Sequence, residues 1–391
     1  MTSVEERGVA AAHLRPAWAE IDLGAIRHNA SLLARHSSPA KLCAVVKAGG
    51  YGHGSVRVAQ AALEGGAEWL AVALVEEGIE LRDAGIGAPV LLLSEPVPES
   101  MIEVVGAGLT PTVYTSEGLA ALSSAARSRD ESAGAFPVHV KADTGMHRVG
   151  ARPDDAVKLA VRVASTPALR LEGFWTHLAV SDEVDNPFTT LQTHRFNEAC
   201  ASLRESGVEP PMLHAANSAG ALWHPATRFD MVRCGISLYG LASDAILVDT
   251  APANALRPAM SLKARVSYVK EVAAGERISY GLRYGLERDS VIATVPLGYA
   301  DGVTRSLSAG GAEVLIAGER RPVAGTVTMD QLMVDCGPGH PVRRGDEVVL
   351  LGKQGDERIT AWDWATRTGT IAYEVVCGIS GRVPRVYVDQ G

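Results

Sequence analysis

An α/β barrel of eight parallel strands, followed by a mainly antiparallel β domain, is the architecture that this 391-residue sequence predicts. Three observations carry it. Short aliphatic runs recur eight times between Leu42 and Cys234, with helical patterns between most of them. Polar residues follow directly on the ends of several runs, and a parallel barrel gathers those ends on one face. From Met260 the pattern changes to apolar–polar alternation with period two, as in a half-exposed antiparallel strand.

In chain order, residues 1–14 are expected to be loose or packed on the β domain. Residues 18–22 read as a short strand and 23–35 as an amphipathic helix. Barrel strands are expected at 42–46, 69–74, 90–93, 110–114, 138–142, 171–176, 212–216 and 231–234. The intervening helices fall at 55–63, 75–84, 99–106, 116–127, 153–165 and 190–206, the spacing of right-handed βαβ units. After the seventh run the connection 218–230 is short. The barrel is placed at 15–247 and the β domain at 248–391, with the join inside 243–258. The β domain is expected to open on one long strand, 260–270, and to continue at 290–296, 313–316, 331–335 and 347–351. Ala317-Gly318 and Gly345-Asp346 mark turns.

Composition narrows the function classes. Hydrophobic residues make up 47% and charged residues 21%, as in ordinary globular chains, and no apolar stretch is long enough to span a bilayer. A net charge of −8 without a basic cluster speaks against a nucleic-acid partner. Cys43, Cys200, Cys234, Cys336 and Cys377 are scattered, odd in number and without a Cys-x-x-Cys pair, which fits reduced thiols and no metal site. The acidic start lacks the features of an export signal, so a cytoplasmic location is expected.

The chemistry begins at Lys47, delivered by the first apolar run into the turn Ala48-Gly49-Gly50-Tyr51-Gly52-His53-Gly54. A lysine at a buried strand end is paired or pushed towards its neutral, nucleophilic amine, the form that attaches a carbonyl cofactor. Lys141 and Asp143 follow the fifth run, His177 the sixth, Asn217 and Ser218 the seventh, and Arg233 with Gly235 mark the eighth. Several polar clusters converging on one face define a site.

These pieces together resemble the alanine racemase family, barrel-type enzymes that use pyridoxal 5'-phosphate. The likeness runs nearly end to end, through Val45-Val46-Lys47-Ala48, Tyr51-Gly52-His53-Gly54, the stretch 141–150, Thr176-His177, Ala216-Asn217-Ser218-Ala219 and Val232-Arg233-Cys234-Gly235-Ile236. It continues in Ser279-Tyr280-Gly281, Gly298-Tyr299-Ala300-Asp301-Gly302, Met329-Asp330-Gln331 and Ala372-Tyr373-Glu374-Val375.

The resemblance implies that Lys47 carries the cofactor and is one of two catalytic bases, with Tyr280 the other. A phenol, with an ordinary pKa near about 10, is a weak base at neutral pH unless cations or donors favour its deprotonated form. By the same resemblance Tyr280 reaches the partner subunit's cofactor, so a homodimer with shared sites is expected. Arg233 would face the pyridine nitrogen, where a guanidinium donates a hydrogen bond but does not surrender its proton. His177 would orient Arg233. Asn217, Ser218, Gly235, Ile236, Tyr51 and Tyr373 would bind cofactor, mostly at its phosphate. Arg148 and the Met329 backbone would meet the substrate carboxylate, and Tyr299 would narrow the entrance. Lys141 matches a position carbamylated in many relatives, a change that would let it hold Arg148.

Two stretches depart from the family. Gly49-Gly50 replaces a more substituted pair and is expected to loosen the turn, and Gly378 to Arg382 match only in part. The implied activity is L/D-alanine interconversion feeding peptidoglycan synthesis. The alternatives are a racemase of another small amino acid such as serine, a related decarboxylase, and a non-catalytic cofactor-binding protein. Decarboxylases commonly place a carboxylate where this chain has Arg233, and the non-catalytic relatives are typically the barrel alone.

Overall fold

A computed structural model describes residues 14–129 and 134–390. Expectations for residues 1–13 lie outside the described residues. The chain divides into two compact units. One holds Ile26–Gly50 and Ser55–Arg257; the other holds the described chain up to Ala25, the tetrapeptide Tyr51–Gly54, and the described residues from Pro258.

The first strand, β1 (Ala17–Asp22), lies in the second unit. Its burial alternates residue by residue, so one face is covered and the other open, as suits a mixed sheet better than a barrel wall.

The barrel unit runs β2 (Lys41–Val45), β3 (Trp69–Val72), β4 (Val90–Leu92), β5 (Thr112–Val113), β6 (Phe136–Lys141), β7 (Leu169–Trp175), β8 (Leu213–His214) and β9 (Met231–Cys234). Each coincides with or falls within about a turn of an expected run. Every neighbouring pair is parallel, in the orders β4-β3-β2-β9 and β5-β6-β7-β8. A parallel bridge from Leu91 to Thr110 joins β4 to β5. The Arg233 N–H donates to Ala216 O at 3.0 Å and joins β9 to the end of β8, which closes the barrel. The short connection after β8 contains a helix, Ser218–Trp223, and a 3-10 turn, Pro225–Thr227.

Helices cover the outside. Pro153–Ala164 and Phe188–Glu205 bury Val157, Leu159, Val163, Phe196 and Leu203 against Val138, Val140 and Phe174 of β6 and β7. Phe174 stacks on Phe196 at 5.7 Å between centroids, and Phe196 meets Phe229 edge-on at 5.2 Å. Each fully buried side chain of this size contributes about 1.5–3 kcal/mol through loss of water contact.

The second unit continues with β10 (Met260–Arg265), β11 (Tyr268–Val272), β12 (Arg277–Ile278), β13 (Tyr284–Gly285), β14 (Ser290–Val295), β15 (Glu313–Ile316), β16 (Glu319–Pro322), β17 (Leu332–Asp335), β18 (Glu347–Gln354), β19 (Glu357–Ile359) and β20 (Arg385–Val388). One sheet has the order β16-β15-β18-β10-β1-β20, and another β11-β14-β17. The long strand expected at 260–270 is two strands. Arg265 pairs with Glu347 and Tyr268 with Thr294, so the chain changes sheets at Val266-Ser267 while its alternation continues. Two helices went unread in the sequence, Ala361–Thr368 and Ala372–Cys377. The first opens on a reciprocal cap: the Asp363 N–H donates to Thr360 Oγ1 at 3.1 Å, and the Thr360 N–H donates to the Asp363 carboxylate at 2.6 Å.

Candidate active site

The candidate residues fall in both units. Lys47, Lys141, Arg148, His177, Asn217, Ser218, Arg233, Gly235 and Ile236 belong to the barrel unit; Tyr51, Tyr280, Tyr299, Met329 and Tyr373 belong to the other.

In the barrel unit the centre is Arg233, only 2% exposed. Its guanidinium donates to His214 Nδ1 at 2.7 Å, His177 Nδ1 at 3.1 Å, Thr176 O at 3.0 Å and Ala215 O at 2.9 Å. Arginine only donates, so both imidazoles accept at Nδ1 and carry their proton on Nε2. His214 Nε2 then donates to His139 Nδ1 at 2.9 Å. Burial first, and the Arg233 charge next, push His177 and His214 well below the ordinary imidazole pKa and take His139 to about 3. All three are neutral at pH 7. Arg233 is itself lowered by burial to about 10, with Cys43 and Cys234 opposing the shift, and stays charged.

His214 and His139 were missed in the sequence because they sit inside apolar runs, one on β8 and one on β6. Trp175 completes the cluster, stacked on His214 at 5.3 Å, with the Arg233 guanidinium 4.5 Å from its ring. Gly173 makes room for it: a Cβ there would lie 2.4 Å from His139 ring atoms.

Lys141, at the end of β6, is 3% exposed, with Nζ 4.2 Å from the Trp175 ring centre. Its pKa falls to about 7 through burial, then Arg233 and Arg148, then Lys47, against the opposing pull of Asp143. Arg148 is exposed in the loop that follows. After β9 the Gly235 N–H donates to Ser218 Oγ at 3.0 Å, which brings Gly235, Ile236 and Ser218 together. Asn217 caps the helix Ser218–Trp223, accepting from Gly220 N at 2.9 Å and from Ser181 Oγ at 2.8 Å, so its side chain is engaged within the protein.

The turn after Lys47 differs from expectation. Ala48, Gly49 and Gly50 all adopt left-handed values near (φ 60°, ψ 45°), at 53/49, 60/39 and 61/48. A residue with a Cβ pays about 1–2 kcal/mol for this conformation and glycine pays little. The double glycine therefore suits a left-handed turn where the sequence reading saw only loosening.

In the second unit Tyr51 and Tyr373 lie with ring centroids 6.3 Å apart. Arg385 Nε donates to Gly52 O at 2.8 Å and the same guanidinium reaches the carbonyls of Ile379, Ser380 and Val383, tying the Tyr51 turn to the chain end. Tyr280 is 74% exposed while its backbone is fixed: Thr326 Oγ1 donates to Tyr280 O at 2.8 Å, and Ser279 Oγ to Thr326 O at 2.7 Å. The Tyr299 N–H donates to Thr328 O and the Ala300 N–H to Met329 O, so Tyr299 and Met329 share one loop pair.

Residues 21–243 match the alanine racemase N-terminal domain and residues 259–387 the alanine racemase C-terminal domain. The alanine racemase of Symbiobacterium thermophilum is 49% identical over 96% of this chain and 97% of its own. The crystal structure of alanine racemase from Streptomyces lavendulae superposes with a TM-score of 0.88 at 40% identity, covering 96% of this chain and 97% of that one. A histidine racemase from Leuconostoc mesenteroides has a TM-score of 0.87 at 28% identity, covering 96% and 98%.

The chain thus belongs to the alanine racemase family. Members are amino-acid racemases, isomerases that depend on pyridoxal phosphate. The barrel site fits that group. The Lys141 amine feels the positive charges of Arg233, Arg148 and Lys47 against the single opposing carboxylate of Asp143, a cationic balance that suits a phosphate dianion and an amino-acid carboxylate. The buried Ser237 Oγ, without a hydrogen-bond partner among the described residues, lies in the loop after β9 beside the Gly235–Ser218 contact, where it and Ser218 Oγ supply neutral hydroxyl donors.

Proposed function

We propose that this enzyme interconverts L- and D-alanine with two bases, Lys47 and Tyr280, one serving each face of the α-carbon. Pyridoxal phosphate, when bound, supplies a ring that stabilises the charge left on that carbon. The observation that carries the reading is Arg233, a buried cation at the end of the strand beside the one that leads to Lys47, held by neutral imidazoles and carbonyls and, among the described residues, by no carboxylate. Such a group donates a hydrogen bond and keeps its proton, which restrains electron withdrawal and favours prompt return of a proton over side reactions.

Lys47 holds the cofactor through its amine, and Ser218, Gly235, Ile236, Tyr51, Tyr373 and Asn217 are assigned to it, Asn217 by fixing the Ser218 helix. Lys47 Nζ takes or returns the proton on one side and Tyr280 Oη on the other, with the roles reversed for the reverse reaction. Arg148 and the Met329 backbone bind the substrate carboxylate, and Tyr299 limits its size. Lys141, whose amine is half neutral near pH 7, adds carbon dioxide, loses a proton and becomes an anion that holds Arg148. The exposed Tyr280 supports a homodimer in which each subunit lends its tyrosine to the other. The enzyme acts in the cytoplasm and its product D-alanine supplies peptidoglycan precursors. Among the described residues no helix is long and apolar enough to cross a membrane.

A racemisation assay on alanine, serine, lysine and histidine, with a D-amino-acid oxidase readout, tests the reading. Alanine should turn over fastest. The histidine racemase likeness favours a second reading, another side chain accepted on the same scaffold, and a clear preference for any other substrate would establish that instead. Growth of a bacterial strain lacking its own alanine racemase, without added D-alanine, tests the peptidoglycan role.

A further inference from the structure

We propose that Glu77 is a positioning residue for Lys47, fixing the left-handed turn through which the lysine leaves the barrel wall. The Ala48 N–H donates to Glu77 Oε1 at 2.5 Å. Glu77 Oε2 accepts from Ala73 N at 2.9 Å and Leu74 N at 3.1 Å, the amides that open its own helix, Val75–Asp83. One carboxylate therefore ties the chain leaving β2 to the chain leaving β3, the neighbouring parallel strand.

The turn needs such a tie. Ala48 carries a Cβ at φ 53°, a conformation it would leave if unrestrained. Gly49 and Gly50 tolerate left-handed values but equally tolerate others, so they permit the turn without selecting it. A Cβ built at Gly49 would meet nothing within 4 Å, so no packing confines that residue. Within the turn's own backbone, the Gly50 N–H donates to Val46 O at 2.9 Å, which closes the loop and leaves the Ala48 amide to Glu77. A charge-assisted hydrogen bond on the residue next to Lys47 is well placed to set the direction of the lysine side chain.

The role rests on Lys47 being the cofactor-bearing base, and the experiment separates the two ideas. Cofactor-free enzyme is mixed with pyridoxal phosphate, and covalent attachment at Lys47 is followed by absorbance and by reductive trapping of the Lys47 peptide. Glu77→Gln keeps the shape but has a single accepting oxygen, so it loses either the Ala48 bond or the helix cap. Attachment should slow about tenfold, equivalent to about 1.4 kcal/mol in the barrier. The isotope effect on α-deuterated substrate should change for one enantiomer and not the other, because one base is misplaced. Glu77→Asp, which keeps the charge and caps the helix but falls short of Ala48, should do the same and serves if Glu77→Gln does not fold. Glu80→Gln is the control on the same helix, where the carboxylate receives Ser55 Oγ instead. Wild-type attachment and isotope effects in both Glu77 variants, or equal losses in Glu80→Gln, overturn the positioning role. Wild-type protein that attaches no cofactor at Lys47 overturns the role together with the assignment of Lys47 on which it rests.

Discussion

Arg233 Nη1 sits 2.7 Å from Nδ1 of His214, and His214 hands the polarity on to His139. The cation's place is thus set by a neutral ring that is itself oriented from behind. His214→Leu would leave a buried guanidinium donor without its acceptor and cost about 1.5–3 kcal/mol. His214→Gln, which restores an acceptor, should recover part of it. Urea titration of the cofactor-free protein reads both. Arg233→Glu should raise the fraction of turnovers lost to transamination, seen as build-up of the cofactor's amine form.

The Lys141 titration gives a pH-dependent stability of known sign. Its amine loses a proton near pH 7 in the folded protein and near its ordinary 10.5 in the unfolded chain. Between those values the unfolded state binds more protons, so stability rises with pH, by at most about 1.4 kcal/mol per unit. Below the window both states are protonated and the cost of the buried cation stands in full. Lys141→Met should flatten this slope in bicarbonate-free buffer. Carbamylation should show as the mass of one carbon dioxide on the Lys141 peptide under native conditions.

The proposed sharing of sites between two subunits makes a prediction for mixtures. Lys47→Ala and Tyr280→Phe should each lose at least about 100-fold in activity as pure proteins. Unfolded together and refolded, they should regain activity, because one site of each mixed dimer then carries neither change. No regain would place both bases on one chain.

The left-handed turn should resist side chains unequally. Gly49→Ala should cost about 1–2 kcal/mol from φ alone. Gly50→Ala should cost more, since its Cβ would meet Ser55 N at 3.1 Å as well as adopting φ +61°. Thermal denaturation of the two variants provides the comparison.

The barrel was legible because each wall strand is a compact aliphatic run with polar residues marking its end; Lys47, Lys141, His177 and Arg233, read as strand-end residues, lie at or just beyond the ends of β2, β6, β7 and β9. The second unit was harder. Strands of two residues such as Arg277–Ile278 and Tyr284–Gly285 carry no period, and alternation from Met260 onwards does not register that the partner strand has changed. His139 and His214 were hidden because a buried histidine pair interrupts neither β6 nor β8. Glu77 was hidden for another reason: an acidic residue in the first turn of a helix is common, and its bond to Ala48 joins positions 29 residues apart.

The stretch from Lys47 to Gly54 changes allegiance after Gly50, since Tyr51–Gly54 counts with Tyr373, Val376, Arg385 and Tyr387. Modularity is therefore not collinear with the sequence. A chimera spliced only at Arg257–Pro258 would import a foreign Arg385 and Tyr387 while leaving behind the tetrapeptide and the strand Ala17–Asp22 that pack against them. Grafting one relative's β domain onto another's barrel calls for three exchanged segments.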